Sequence, residues 1–196
     1  TFSVADIANL SYTQNGTQVT APTTDTFKLT FDDGAGGLVA DQTVTVNLVP
    51  VNQPPTVSGS ITVIEGETGV RLDNNGLLPA VLGGGGRGAI SVGDPEGAII
   101  SSYNITSLPS NGKLFFDGTE ITAASVGTPF VVSDITKLIY SHDGSNTTAD
   151  SFNISVTDNG GGTGVPITTS GTVSLSIYPN DDDPVLATNV TQTLGN

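Results

Sequence analysis

Apolar and polar residues alternate at period two in several short stretches of this chain. Thr43 to Val49 reads Thr-Val-Thr-Val-Asn-Leu-Val, Phe152 to Val156 reads Phe-Asn-Ile-Ser-Val, and Val173 to Ile177 reads Val-Ser-Leu-Ser-Ile. Such alternation sends successive side chains to opposite faces and predicts half-buried antiparallel strands. Turn-forming pairs separate the runs: Asp33-Gly34, Asn75-Gly76, Asn111-Gly112, Asp117-Gly118, Asp143-Gly144 and Asn159-Gly160. No stretch holds a convincing 3.6-residue period. In the central part of the chain the pattern predicts seven strands. They lie near 57–64, from 69–72 onward, and near 99–106, 113–116, 138–141, 151–157 and 171–178. An apolar, Gly-rich insertion, Leu77 to Gly88, falls between the second and third and receives no assignment.

The same ordered series of residues occurs twice. Phe2 to Ile7, Leu10-Ser11-Tyr12, Asp25-Thr26-Phe27, Asp33-Gly34, and Asn52 with Pro55 form the first pass. Phe130 to Ile135, Leu138-Ile139-Tyr140, Asp150-Ser151-Phe152, Asp158-Asn159-Gly160, and Asn180 with Pro184 form the second. Asn52 and Asn180 set a period of 128 residues. A repeat this long buries its own core, so it is a domain and not a solenoid unit. The expected organisation is the C-terminal half of one repeat over 1–52, a complete repeat over 53–183, and the first strand of a following repeat over 184–196. The fold class that follows is all-β, with Greek-key or immunoglobulin-like β-sandwich repeats in tandem. The linkers Val51 to Pro55 and Pro179 to Pro184 are short and Pro-stiffened, which sets adjacent repeats end to end.

Charge narrows the partners. Five Lys or Arg stand against nineteen Asp or Glu, a formal net charge of −14. Nucleic acid and anionic membrane surfaces are disfavoured, since phosphate affinity needs clustered cations. No long apolar run is present, so no membrane insertion is expected in this segment. The chain has no Cys, which removes disulfides, thiol chemistry and Cys-type zinc sites.

The acids fall at recurring loop positions. Loops of an antiparallel sandwich alternate between its two ends. By that parity Glu65, Glu67, Asp143, Asp150 and Asp181 to Asp183 gather at the C-terminal end. Asp94, Glu96, Asp158 and Asn159 gather at the N-terminal end, beside Asn52. Carboxylates crowded within about 4–6 Å of one another raise each other's pKa by one or more units. A bound Ca²⁺ removes that penalty, because it takes six to eight hard oxygen ligands from carboxylates, amides and carbonyls. The plain alternative is that Asp-Gly and Asn-Gly make turns. Asp117-Gly118, Asp73 and Asp41 are read that way. No contiguous twelve-residue EF-hand loop is present, so any site is assembled from separate segments.

Asn180-Asp181 followed by Pro184 resembles the Asn-Asp-x-x-Pro linker of cadherin-type repeats. Val63-Ile64-Glu65-Gly66 resembles their acidic motif near the first strand, and Asp94-Pro95-Glu96 is similar to their Asp-x-Asp motif. Pro109 to Leu114, Ile139 to Ser145 and Asp150-Ser151-Phe152 look closer still to the chondroitin-sulfate-proteoglycan variant, a cadherin-like repeat of large surface proteins and bacterial adhesins. The resemblance implies calcium between repeats. It assigns Glu65, Asp143, Asp150, Asp181 and the Asn180 carbonyl to the C-terminal junction. It assigns Asn52, Asp94, Glu96 and Asp158 to the N-terminal one. Gln53 stands where the linker Asp belongs, which implies weaker binding, or none, at the N-terminal junction.

Enzymatic readings find little support. His142 beside Asp143 suggests a base and its orienter, but no nucleophile elbow or oxyanion site accompanies them, and a turn histidine is the reading adopted. With no Trp and four Tyr there is no aromatic platform for sugar hydrolysis. Gly83 to Gly88 lacks the Lys-Ser/Thr ending of a phosphate loop and reads as a hairpin tip. The expectation is a non-enzymatic, extracellular cell-surface spacer. Its partners are neighbouring repeats of the same chain or other subunits of the same protein. One alternative is a filament or lattice subunit assembled by strand complementation. Another is an adhesive module binding a surface ligand through the Gly-rich tip.

Overall fold

The computed structural model describes residues 4–16, 19–73, 76–79, 82–126, 134–161 and 164–181. The expected strand over Val185 to Leu194, and the acids Asp182 and Asp183, lie outside these residues. The chain is all-β, and its strands form β1 (Thr23–Asp32), β2 (Leu38–Leu48), β3 (Thr56–Ile64), β4 (Val70–Arg71), β5 (Ile90–Gly93), β6 (Ile100–Ser107), β7 (Gly112–Phe116), β8 (Thr119–Ile121), β9 (Leu138–His142), β10 (Ala149–Asp158) and β11 (Thr168–Tyr178). Short 3-10 helices occupy Val4–Asn9 and Ile135–Lys137. All seven strands expected from the alternation are present. The short β5 and β8 are additional.

The fold divides into two compact units. One comprises Val57–Val92, Ser102–Ser155 and Ser170–Asn196; the other comprises Thr1–Thr56, Gly93–Ser101 and Val156–Thr169.

The strands of the larger unit belong to two sheets, ordered β5-β3-β11-β10-β6 and β4-β9-β7-β8. β3 runs parallel to β11, from Val173 opposite Gly59 to Tyr178 opposite Ile64. In the second sheet β7 pairs antiparallel with both β8 and β9. The β7–β8 turn is Asp117-Gly118, with φ of 48° and 80°. Consecutive positive φ values match the mirror-image hairpin turn whose twist suits the flanking strands. Inward residues of both sheets, among them Ile61, Val63, Leu114, Leu138, Tyr140, Phe152, Val173 and Leu175, form one buried core. This is a sandwich, and alternating burial along β11 shows the period-two pattern at work.

The insertion between β4 and β5 is a hairpin tip. Leu77 bridges Gly86, and the Leu78 N–H donates to the Gly85 carbonyl at 2.8 Å. Its root is clamped by Arg87, which is buried and forks onto both oxygens of Glu67. The same guanidinium donates to the carbonyls of Leu77 (3.0 Å) and Thr62 (3.4 Å). Asp73 is more than a turn former, because it accepts a two-pronged contact from Arg71.

The smaller unit contains the β1–β2 hairpin, paired from Thr23 opposite Leu48 to Asp32 opposite Leu38 with an irregularity between Leu29 and Phe31. Its inward positions Phe27, Val44, Val46 and Leu48 are half-buried.

Candidate functional site

The loops β5–β6 and β10–β11 and the linker before β3 bring Asn52, Asp94, Glu96 and Asp158 into one bonded cluster within the smaller unit. Asp158 is fully buried at the end of β10. Its Oδ1 accepts from the N–H groups of Gly160 (2.7 Å) and Ile167 (3.0 Å). The Asn52 side-chain amide donates to both Asp158 oxygens, at 3.2 Å each, and to the Val165 carbonyl at 3.0 Å. Burial opposes ionisation of Asp158 and is the largest influence on it. The hydrogen bonds from Ile167, Gly160 and Asn52 together outweigh burial and hold its carboxyl below the usual carboxylate range.

Asp94 and Glu96 are joined by the β5–β6 turn. Asp94 Oδ1 accepts from the N–H groups of Glu96 (3.0 Å) and Ala98 (2.8 Å). Glu96 Oε2 accepts from the Gln53 N–H at 2.9 Å, which pins the linker. Three oxygens in this cluster are buried without a hydrogen-bond partner: Asn52 Oδ1, Asp94 Oδ2 and Glu96 Oε1. Buried acceptors left unpaired cost about 1–3 kcal/mol each, more when charged. The orientation of Asn52 is fixed, since its nitrogen is committed to Asp158 and Val165.

The glycines of the β10–β11 loop complete this arrangement. A Cβ on Gly164 would stand 2.1 Å from Asn52 Cβ, and one on Gly161 would stand 2.9 Å from Ala98 Cβ. Sequence reasoning missed these two positions, although the run Gly160 to Gly164 carries a visible signal in its four glycines.

The residues expected at the other end lie in the larger unit and are less gathered. Glu65 is buried; its Oε2 accepts from the Asn180 N–H at 3.1 Å, and its Oε1 is buried without a partner. Asp143 turns onto its own loop, accepting from the Ser145 hydroxyl at 2.6 Å and the Ser145 N–H at 2.9 Å. Those two bonds, the hydroxyl first, hold its carboxyl below the ordinary value. Asp181 is exposed. Asp150 is saturated: Oδ1 accepts from Ser110 and Ser151 N–H, and Oδ2 from Asn111 N–H and the Tyr140 hydroxyl.

His142 is buried and joins the two loops that carry Glu65 and Asp143. Its Nδ1 accepts from the N–H groups of Gly66 (3.0 Å) and Gly144 (3.1 Å), and Nε2 lies 3.2 Å from Thr147 Oγ1. Two donors on Nδ1 place the proton on Nε2. The ring is a structural acceptor.

Among the described residues no group of three or more His, Cys, Asp or Glu is placed to hold a metal. The linker cluster offers two carboxylate oxygens and one amide oxygen instead. Hard oxygens of this mixed kind suit cations such as Ca²⁺ better than the softer transition metals. No known protein-family model matches the chain. Among the described residues no helix is long and apolar enough to cross a membrane.

Proposed function

We propose that this chain is a segment of a long, non-enzymatic, extracellular surface protein, built from cadherin-like repeats that act as spacers. Its entering linker is stiffened by a divalent cation, Ca²⁺ by preference. One observation carries the reading: Asn52, Asp94 and Glu96 of the linker cluster each keep one buried acceptor oxygen without a hydrogen-bond partner. By sequence, Lys28 is the single Lys or Arg in the segments of that unit, and it pairs with Asp41 at 3.6 Å. A cation supplies what no side chain there provides. The ligands on offer are few, so backbone carbonyls or water complete the shell and the affinity falls in the range of extracellular modules, about 10⁻⁴–10⁻³ M. On this reading the N-terminal junction is the better-prepared one, whereas Gln53 at the linker position implied weaker binding there, or none.

Two paired details support the repeat reading. The Tyr12 hydroxyl donates to Asp25 and the Tyr140 hydroxyl to Asp150, both at 2.9 Å. The Leu10 N–H donates to the Ile7 carbonyl, and the Leu138 N–H donates to that of Ile135. Each pair occupies the same step of the two residue series.

Differential scanning calorimetry in Ca²⁺ and in EDTA tests the proposal. A bound cation at a hundredfold over its Kd adds about 2.7 kcal/mol of stability. A melting curve indifferent to EDTA counts against it.

A further inference from the structure

We infer that the outer edge of β6 is a self-association site, at which residues 102–106 of two copies of this chain pair antiparallel about a two-fold axis through Asn104. Among the described residues β6 ends the five-stranded sheet, with β10 as its single neighbour. An end strand holds out unpaired N–H and C=O groups, and folded proteins ordinarily blunt it with Lys, Pro, a bulge or shortness. β6 has eight residues, Ile-Ser-Ser-Tyr-Asn-Ile-Thr-Ser, and none is charged or Pro. The other sheet ends of this fold's sandwich are blunted. β4 has two residues, one of them Arg71, and β8 has three, with Glu120 in the middle. β5 has four, and its first amide, the Ile90 N–H, already donates to the Leu72 carbonyl at 2.9 Å.

Charge selects a second copy as the occupant. The chain carries a formal net charge of −14, so identical surfaces of it repel one another wherever acids lie. β6 meets its twin with no charge on either strand. The charge of Asp134 reaches the Tyr103 hydroxyl, but Arg71 and Lys137 offset it. A strand of β-branched, aromatic and hydroxyl side chains is also one with high strand propensity, which favours pairing at an open edge.

The register follows from side-chain parity. Ile105 belongs to the buried core and half-buried Tyr103 packs against it, so these two mark the inner face; Ser102, Asn104 and Thr106 alternate onto the outer one. Centred on Asn104, antiparallel pairing sets Tyr103 opposite Ile105 of the second copy and Ser102 opposite its Thr106. Aromatic–β-branched and hydroxyl–hydroxyl pairs both stabilise antiparallel ladders. The same register sets the two Asn104 side chains opposite each other. Asn104 Oδ1 is a buried acceptor without a hydrogen-bond partner in the single chain. Directly opposite Cβ atoms stand about 4.5–5.5 Å apart, so each amide can donate to the other's oxygen. A contact of this self-complementary kind closes at the dimer.

Sedimentation equilibrium on the whole chain, with and without EDTA, tests this. The mass is expected to climb from one chain to two as concentration rises to about 1 mM. The pairing needs no cation, so EDTA should leave it unchanged. Asn104→Glu sets two like charges face to face and should hold the mass at that of the monomer; circular dichroism first confirms that the variant keeps its strand content. A second measurement uses the unaltered chain. Hydrogen exchange of β6 amides should slow about tenfold between dilute and concentrated solution, while that of β11 stays the same. A mass that remains monomeric throughout, or β6 exchange indifferent to concentration, overturns the inference. So does a dimer that EDTA dissolves, or one that Asn104→Glu forms equally well.

Discussion

The Asn52 side-chain amide donates to both carboxylate oxygens of Asp158, at 3.2 Å each, which turns its own oxygen away from that acid. That oxygen is buried and unpaired. The linker residue thus does two things at once. Its nitrogen stabilises a buried carboxylate by hydrogen bonds, and its oxygen, like Asp94 Oδ2 and Glu96 Oε1, is left as a buried acceptor without a partner.

Asn52→Ala removes both contributions. A hydrogen bond to a charged partner contributes about 1.5–3 kcal/mol. The variant should lose stability of that order in urea titrations, and its melting temperature should no longer respond to Ca²⁺. A variant that loses stability yet keeps the full calcium response separates the two roles and removes Asn52 from the cation site.

Gly164→Ala attacks the same residue from the opposite side. The new methyl would meet Asn52 Cβ at 2.1 Å, so one of the two must move. Overpacking of this kind costs about 1–3 kcal/mol. Weakened calcium affinity should accompany the loss, measured by calorimetric titration. Gly85→Ala, in the insertion tip, meets no atom within 4 Å and has no positive φ, so it serves as the comparison without overpacking.

Acid should release Asp158. Its folded carboxyl is held below the ordinary value of 3.8. A depressed folded pKa gives stability that is complete above the unfolded pKa and is lost as pH falls through the folded one. Unfolding free energy should therefore fall as pH drops below about 4, and Asp158→Asn should flatten that fall while lowering stability at neutral pH. Equal pH slopes for the two proteins in this window would remove Asp158 as a contributor.

The Arg87–Glu67 pair anchors the Gly-rich insertion. Arg87 is 8% exposed and Glu67 26%. Breaking a buried pair by deleting one partner typically costs about 3–5 kcal/mol, because the remaining charge stays in place without compensation. Arg87→Met should approach that cost in urea denaturation, and Arg87→Met with Glu67→Gln should recover part of it. A double variant no more stable than the single one would show that Glu67 is solvated well enough alone.

Tyr140→Phe and Tyr12→Phe compare two tyrosines that each donate to an Asp at 2.9 Å. Tyr140 is buried, and its hydroxyl serves Asp150, which also caps the backbone at Ser110 and Asn111. Its removal should cost about 0.5–1.5 kcal/mol in thermal or chemical denaturation. Tyr12 makes the same bond to Asp25 in the smaller unit, where it is exposed, and its loss should leave stability nearly unchanged.

Much of the fold was legible because its signals are local. Alternation at Val173 to Ile177 and at Phe152 to Val156 placed β11 and β10, and Asp117-Gly118 placed the β7–β8 turn. β5 and β8 escaped because four and three residues are too few to show a period. The parallel seat of β3 beside β11 depends on partners more than a hundred residues apart, which no local pattern encodes. The acids were harder still. Asp150, Asp158 and Glu65 all lie in the loops or strand ends where ligands were expected, but composition does not reveal which lone pairs the backbone takes. Asp150 gives all of its capacity to N–H and O–H donors, whereas Glu65 and Glu96 each keep one oxygen free. That difference arises only when the chain is folded.

A diffraction map from crystals grown in millimolar CaCl₂ tests the cation directly. The account predicts a density peak, with anomalous signal, in contact with Asn52 Oδ1, Asp94 Oδ2 and Glu96 Oε1. Those three oxygens satisfied by water or by protein donors, with no ion among them, would contradict it.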